Sequence, residues 1–597
     1  MQKDTNADFE RRKLVLEHRM RMREYDIGDP NEWIRQHPDK RIFIVYDSEK
    51  MMFRMLCRKE TDLEYTVKMF REEDMGKFFQ NRYSGASYDK YRYSVSPFGY
   101  FQTGMLKTVL KAIQGNVMIN PMDRPLSEFL CMSDGVKRYA VEWLSPLMRQ
   151  MKEIQGKGGL QISNVSVDRM PEDKVLVMRD YQEKAIESIL TEGYGRGMIE
   201  SATGSGKSFI IANLIYTLWN LGLPKPNPRT LIYVPNIQLV EQFYTDLLSY
   251  GYSEDEVCKC SGALKAADKK KMAQCAKTAK IVVANSAWCN NHLAEVGNVD
   301  ILLIDEVHRC LPDSVGFVNL KEQLCECRVR VGFSGTIPAD GYDRWGLEGF
   351  LGPVLYRASV TSLQDLGYLS QLRIVKVKLT DRRVVDDENL LFSPNSKWRM
   401  NDYSAEYGGF ISSSDAWIAE QDWYSSNCDR IFAPVLNNLI LADPNTKLTN
   451  TLILFDRLEL GANLHDHLRG VVAEKGISGV QVLYIDGQTD VRDRENIRAA
   501  LETTNGNILL GQSSILSTGI NIKNLARIVL LCGGKAQARI IQSIGRTLRL
   551  NANKDHAELM DVELSYKYSK KHALERKHLY KDWYDKSKYD ETYEFDV

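Results

Sequence analysis

No run of apolar residues in the 597-residue chain approaches the roughly 18 needed to cross a bilayer, so no membrane-spanning helix and no membrane partner are expected. The opening stretch, MQKDTNADFERRKLVLEHRM, lacks the basic, apolar, small-residue order of a secretory signal, and the chain is expected to stay in the cytoplasm. No CxxC pair occurs among the 11 cysteines, whose scattered, odd set suits reduced thiols. CKC (Cys258, Cys260) and CEC (Cys325, Cys327) are the close pairs, and one intervening residue makes each a poor zinc half-site. Charge of one sign is also lacking: Lys plus Arg and Asp plus Glu stand at 79 each. A nucleic-acid surface would therefore have to arise from local clustering. No repeat of solenoid length is present. A last absence is local: IESATGSGKSFIIANLIY (Ile199 to Tyr216) has Ser201 where the phosphate-loop pattern GxxxxGK[ST] opens on glycine.

What is present divides into sections. A chain of this length exceeds one hydrophobic core. Residues 1–165 are rich in charge and aromatics, with a strand expected at RIFIVYD (Arg41 to Asp47), and end in the glycine-rich QGKGGLQ (Gln155 to Gln161), a candidate linker. From 166 to 345, the short apolar runs RTLIYVP, AKIVVAN, VDILLIDE and VRVGFSGT alternate with helix-length amphipathic segments. That rhythm predicts a parallel α/β sheet. A second series, NTLILFD, VQVLYIDG, GNILLGQ and ARIVLLCG, lies within 346–560, after an irregular insertion near 380–425. Residues 561–597 read as a helical tail, with Ala573, Leu574, Leu579 and Trp583 spaced for one face. The expected fold class is α/β, with two tandem parallel-sheet domains and an N-terminal α+β accessory domain.

The chemistry starts at the loop. Strand, tight turn and helix follow in the order a phosphate loop needs, with the backbone N–H groups of Thr203, Gly204, Ser205 and Gly206 able to face phosphate oxygens. Lys207 would place its charge on the β and γ phosphates and Ser208 its hydroxyl on Mg²⁺. About a hundred residues on, ILLIDEVH ends an apolar run in Asp305 and Glu306. Asp305 would hold the Mg²⁺ and Glu306 polarise the attacking water, which points to ATP hydrolysis.

With these residues in place, DEVH (Asp305 to His308) and SATGSGKS resemble motifs II and I of the superfamily 2 helicases and translocases. The resemblance implies two RecA-like domains, ATP and Mg²⁺, and further roles. RDYQ (Arg179 to Gln182) is similar to the Q motif, which implies that Arg179 and Gln182 bind the nucleotide, with Gln182 reading the adenine edge. VPNIQLVEQF resembles motif Ia, which implies nucleic-acid contacts at Pro235 and Asn236, with Ser286 of IVVANSAW a further strand contact. GFSGTIP stands at motif III, with Ser334, Gly335 and Thr336. TLILFDRLELGANL resembles motif IV. SSILSTGINI resembles motif V, implying a strand contact at Thr518 and a nucleotide contact at Gly519, with Asn521 where relatives often have Asp. QSIGRTLR resembles motif VI, implying catalytic roles for Gln542, Arg546 and Arg549, the arginines stabilising the γ-phosphate charge from across the cleft.

The motif set together with GYLSQLRI and YKYSKKHALERKHLYKDW resembles the phage UvsW-type branched-DNA helicases and, more distantly, motors of the restriction-enzyme and XPB type. The implied partner is DNA in branched form (forks, Holliday junctions, D-loops), with RNA–DNA hybrids among the candidates. An RNA helicase and a nucleotide-gated binding module without unwinding are the alternatives. In the N-terminal section Arg82, Lys90, Arg92 and Lys107 interleave with Tyr83, Tyr88, Tyr91, Tyr93, Phe98 and Tyr100. This suits either a surface that pairs phosphates and stacks bases or a small β-rich core with charged edges. The lysine-rich Lys265 to Lys280 stretch is likewise a basic patch or a solvated helix face.

Overall fold

The computed structural model describes residues 42–47, 52–57, 59–74, 91–113, 117–120, 146–261, 266–324, 327–386, 403–404, 409–410, 413–513, 524–531, 544–545, 556–584 and 588–597. The N-terminal module holds a four-stranded sheet of β1 (Ile42–Asp47), β2 (Met52–Cys57), β5 (Tyr100–Gln102) and β6 (Val117–Asn120), in the order β5-β2-β1-β6. Only β1 and β6 pair in parallel; a separate ribbon joins β3 (Arg71–Glu73) to β4 (Tyr91–Tyr93). The helices Glu60–Met69 and Leu106–Ala112 complete the layer, closing over Ile44, Phe53, Met55 and Phe101.

Seven parallel strands form the next sheet: β7 (Arg196–Ser201), β8 (Thr230–Val234), β9 (Val257–Cys260), β10 (Ile281–Asn285), β11 (Ile301–Asp305), β12 (Val329–Ser334) and β13 (Val354–Ala358), in the order β13-β7-β12-β11-β8-β10-β9. Helices cover both faces, so neighbouring residues of one strand serve different cores. Ile232, Val283 and Leu303 pack beneath Ile186 and Ile210, while Leu231, Val282 and Leu302 pack with Trp288 and Phe350. This is why the strands read as continuous apolar runs rather than alternating ones.

A second seven-stranded parallel sheet has the order β18-β19-β17-β20-β21-β14-β22. Its members are β14 (Gln371–Thr380), β17 (Thr451–Phe455), β18 (Gln481–Ile485), β19 (Asn507–Gln512), β20 (Arg527–Leu531), β21 (His556–Leu564) and β22 (Glu591–Asp596). A small hairpin of β15 (Tyr403–Ser404) and β16 (Gly409–Phe410) precedes the helix Ser413–Ser426. The two sheets give tandem RecA-like domains behind an N-terminal α/β module.

Several expected boundaries shift, each because a core reaches further than the local pattern suggested. The helix Pro146–Gly156 buries Leu147 and Met151 in the same core as Ile186 and Ile210, so the Gln155–Gln161 glycines form a turn within the first sheet's domain. β13 lies beyond residue 345 yet pairs with β7. β21 crosses the expected break at 560/561, and the tail is not purely helical. Its helix Lys567–Tyr584 leads into β22, which joins the sheet edge beside β14. Tyr593 and Phe595 pack inward there, a Lys378–Glu594 pair crosses the strands, and Arg382, just past β14, pairs with Asp596. On the tail helix Ala573 and Leu579 are buried but Leu574 is 56% exposed, because adjacent helical residues point about 100° apart.

The insertion is anchored too. Asp381, fully buried, receives both Arg430 Nη1 and Nη2 at 3.0 Å, Trp423 Nε1 at 2.9 Å and the Tyr566 hydroxyl at 2.8 Å. Glu420 caps the tail helix by accepting Tyr568 N and Ser569 N. Burial raises the Asp381 carboxyl, but the Arg430, Trp423 and Tyr566 bonds outweigh it and hold it below the ordinary aspartate range. Its stabilisation is therefore present above about pH 4 and lost as pH falls through the folded-state value. Asp381→Ala is expected to cost about 3–5 kcal/mol in urea unfolding at neutral pH, the usual penalty for stripping one partner from a buried pair. A loss below about 1 kcal/mol would show that the hub is dispensable.

Candidate nucleotide site and nucleic-acid face

β7 ends at Ser201, and the chain turns through Gly204 (φ +88°) and Gly206 (φ +80°) into the helix Lys207–Asn220. Only those two glycines occupy left-handed backbone in the loop; Ser201 is still strand, where a side chain is tolerated. Its hydroxyl lies inside, 2.6 Å from that of Ser205, and braces the turn. Lys207 Nζ donates to the Ser201 carbonyl at 3.3 Å, curled over the hollow that phosphates would fill. Ser208 Oγ stands 3.0 Å from the Tyr250 hydroxyl.

Asp305 closes β11, two strands from β7, with Oδ1 buried and without a hydrogen-bond partner. Burial first, then the neighbouring Glu306 charge, raises its pKa well above the carboxylate range, while Lys207 opposes the shift. A buried carboxylate with a free oxygen, beside a second carboxylate, fits a hard divalent cation that keeps most of its waters. Asp305 and Ser208 are the residues that would hold it. Among the described residues there is no group of three or more His, Cys, Asp or Glu that could hold a metal ion.

His308 is the residue that sequence reasoning passed over. Its Nδ1 lies 2.8 Å from Ser334 Oγ and 3.3 Å from Glu306 Oε2, and Ser334 Oγ in turn accepts Thr336 N at 3.0 Å. Burial lowers the imidazole pKa and leaves it neutral at pH 7. The DEVH box is thus joined to SGT by one side chain. The signal was the fourth position of the box, but its partner on β12 is visible only in three dimensions.

Gln182 is placed differently from a free adenine reader. Its Nε2 donates to the Ser205 carbonyl at 3.0 Å and its Oε1 accepts Arg179 N at 3.0 Å, so both amide atoms are engaged by protein. Tyr181, also unremarked in the sequence, donates to the same Ser205 carbonyl and packs against Tyr368, 5.4 Å between rings. The Arg179 guanidinium lies 4.5 Å from the Tyr368 ring centre. These residues grip the loop from behind and tie it to the segment entering the second sheet.

Of the motif VI segment, Ile544 and Gly545 are described. Ile544 is buried with Tyr181 and Ala202, and a Cβ on Gly545 would overlap the Thr203 side chain. The second domain therefore meets the phosphate loop backbone-close. Thr518, Gly519, Asn521, Gln542, Arg546 and Arg549 lie outside the described residues. On the adjoining strand ends, Ser286 Oγ donates to the Pro235 carbonyl at 3.0 Å, while the Asn236 side chain accepts Leu239 N as a helix cap. Pro235, Asn236 and Ser286 are brought together, with Asn236 already employed in structure.

In the N-terminal section the β-rich core reading prevails for the described residues. Tyr100 is buried under Arg54, Tyr91 carries Arg71 at 3.9 Å, and Tyr93 packs against the module core. Arg92 pairs with Glu72 and Asp313 and lies 4.5 Å over Tyr342, so it is not free for phosphates. Arg82, Tyr83, Tyr88, Lys90 and the Lys107 side chain lie outside the described residues. In the lysine-rich stretch, Lys280 pairs with Glu256 and lies over Trp219; Lys265 and the side chains through 271 are outside. Cys258 and Cys260 are buried thiols, 3.8 Å apart.

Comparison with known proteins bears on the same regions. Residues 175–339 match the family model described as type III restriction enzyme, res subunit, and residues 436–551 the helicase conserved C-terminal domain. The chain is 23% identical over 424 residues to the ATP-dependent DNA helicase UvsW of enterobacteria phage T4, covering 70% of this chain and 75% of that protein. It is 23% identical over 397 residues to a Saccharomyces cerevisiae protein named as ATP-dependent helicase IRC3, covering 64% of this chain but only 51% of the relative. A fragment described as an HsdR subunit of a type I restriction enzyme from Vibrio vulnificus superposes with a TM-score of 0.51 at 16% identity, covering 76% of this chain and 75% of that one. That likeness concerns the fold. Among the described residues no helix is long and apolar enough to cross a membrane.

The brace can be probed without any ligand. Gly206→Ala sets a Cβ 2.8 Å from Gln182 Nε2 on left-handed backbone, and Tyr181→Phe deletes a bond to Ser205. Both are expected to speed amide hydrogen exchange across residues 203–208 by roughly fivefold or more, about one hydrogen bond's worth. Unchanged exchange in both variants would mean that the loop does not depend on the bracing.

Proposed function

For a chain that belongs to the superfamily 2 helicases and translocases, related to UvsW and to restriction-enzyme helicases, we propose an ATP-dependent DNA motor acting on branched DNA. The substrates are forks, Holliday junctions, D-loops and R-loops met in recombination, replication or repair. One observation carries the motor reading: a braced phosphate loop and an orphaned buried carboxylate sit on one sheet, with Gly545 of the other domain pressed against that loop. Closure of two domains on one nucleotide is the geometry that converts hydrolysis into movement. The DNA preference draws on the RDYQ and DEVH motifs and on the UvsW alignment, where the relative is named a DNA helicase.

In this reading Lys207 and the amides of Thr203 to Gly206 hold the β and γ phosphates, and Arg179 and Gln182 position the nucleoside end. Ser208 and Asp305 hold Mg²⁺, which when bound neutralises charge on the phosphate oxygens. Glu306 orients and polarises the attacking water, and His308 fixes its carboxylate against Ser334. Gln542, Arg546 and Arg549, which flank Gly545 in sequence, act from the facing domain, and Gly519 completes the nucleotide contacts. Pro235, Asn236, Ser286 and Thr518 line the nucleic-acid track. The N-terminal 1–165 segment serves as accessory domain, 166–345 and 346–560 as the motor halves with the 380–425 insertion, and 561–597 as the tail, with the extended cores described above.

Lys207→Ala is expected to lower DNA-stimulated ATP turnover by roughly 10²–10³-fold, the size of losing one preorganised charge at a phosphoryl-transfer site. DNA binding should survive. Glu306→Gln should trap the nucleotide-bound protein on DNA, and chelation of Mg²⁺ should abolish turnover. The decisive measurement is ATPase and strand displacement against single-stranded, forked, four-way and hybrid substrates. Stimulation by RNA alone would overturn the DNA assignment, and biological activity intact in Lys207→Ala would favour a binding module.

A further inference from the structure

The N-terminal module does not rest on the motor loosely; it is fitted to the helix Gly341–Leu351, which begins five residues after Thr336. A Cβ on Gly104 would run into the Glu348 carbonyl, and one on Gly349 into the Gln102 side chain. Phe70 meets Trp345 edge-on at 5.1 Å, Glu72 accepts Tyr342 N at 2.8 Å, and Thr108 Oγ1 donates to the Glu348 carboxylate. Backbone-close contact on this scale makes module and helix move as one piece.

That helix also faces the phosphate-loop strand. Arg344 Nε lies 3.3 Å from Glu348 Oε2, while its buried Nη1 has no hydrogen-bond partner. Glu200, one residue before Ser201, accepts Ile337 N at 3.4 Å and pairs with Arg357 Nε at 2.9 Å. Arg344 is near enough for its charge to act on Glu200. A cavity of about 530 Å³, lined by Thr108, Lys111, Arg344, Glu348, Leu355 and Arg357, lies alongside. A guanidinium with one unsatisfied nitrogen, paired to the buried Glu348 and within electrostatic range of the half-buried Glu200, with free volume beside it, can take two arrangements.

We propose that Arg344 is a positioning residue that couples the N-terminal module to the nucleotide site, shifting between Glu348 on the module side and Glu200 beside the phosphate loop. DNA that displaces the module tilts the Gly341–Leu351 helix, and Arg344 passes the movement to β7 and, through Ile337, to Thr336 and Ser334. The inference rests on the ATPase reading of the site. It touches no residue assigned there to nucleotide or DNA.

The test compares wild type with Arg344→Gln, Arg344→Lys, Gly104→Ala and the Arg344→Gln/Gly104→Ala double variant. Basal ATPase and DNA affinity should stay near wild type, while the DNA-stimulated to basal ratio falls roughly five- to tenfold, an ordinary coupling strength. Arg344→Lys should recover part of it, and the double variant should be no worse than the worse single, as for one pathway. A purely structural role would instead lower basal rate, affinity and melting temperature together, and that result, additive losses, or an unchanged ratio would overturn the proposal. Should Gly104→Ala fold poorly, Thr108→Ala takes its place. A readout free of turnover accompanies these: branched DNA should alter hydrogen exchange at residues 199–208 in wild type and Lys207→Ala but not in Arg344→Gln. Wild-type protein without ATPase but with this exchange response would sink the ATPase reading alone; equal responses in wild type and Arg344→Gln would sink the coupling.

Discussion

The rest of the molecule depends on how one turn is held, the loop from Ser201 to Ser208. A phosphate loop exposes a row of backbone donors, and it can do so only if something else fixes the turn. Here the fixing is done by side chains, two from within the loop and two from the helix behind it. Ser201 braces Ser205 from within, Tyr181 and Gln182 take the Ser205 carbonyl from behind, and Lys207 closes on the Ser201 carbonyl. The glycine missing from the first position is therefore replaced by a hydroxyl with a task. The loop needs glycine only where its backbone turns left-handed, at Gly204 and Gly206.

From that turn, constraints spread in two directions. Along the sheet, β7 pairs with β12, and β12 with β11, so Ser201, Ser334 and Asp305 are set at neighbouring strand ends by register alone. His308 stands between these strand ends, its Nδ1 bonded to Ser334 Oγ at 2.8 Å and 3.3 Å from Oε2 of Glu306, the residue after Asp305. Across the cleft, the same Tyr181 that holds Ser205 packs on Tyr368 and shares a core with Ile544 of the second domain. Loop geometry and interdomain geometry are thus not separable: moving one domain pulls on a residue that holds the loop.

The sequence made the strands and the loop legible because both obey local rules. Each run from RTLIYVP to ARIVLLCG is a strand, since burial on both faces leaves an uninterrupted apolar signature. What was not legible is long-range. β22 is only six residues, Glu591–Asp596, and its Glu591 and Glu594 pair with Arg373 and Lys378 of β14, more than two hundred residues earlier, while Asp596 meets Arg382 just beyond that strand. Leu574 fits a helical apolar face by spacing but falls outside it because the sheet covers a narrower stripe. Arg92 looked like a phosphate ligand for the same reason: sequence shows the charge, and only the fold shows Glu72, Asp313 and Tyr342 already around it.

The same distinction bears on Gln182. As a motif residue it is expected to read a base; as placed, its amide is spent between Arg179 N and the Ser205 carbonyl, 4% exposed. Nε2 turns its two protons toward the Ser205 carbonyl and the Tyr181 hydroxyl, so donating to a base means giving one of these up, while Oε1 keeps a lone pair with which to accept. A nucleoside that took the proton now on Ser205 would leave the loop resting on Tyr181 alone from that side. Tyr181 is held in turn by Tyr368, at the entry to the second domain. Base recognition, loop tension and domain position would in that case be one equilibrium, because the groups that satisfy the loop without nucleotide are the groups that recognition must take away from it.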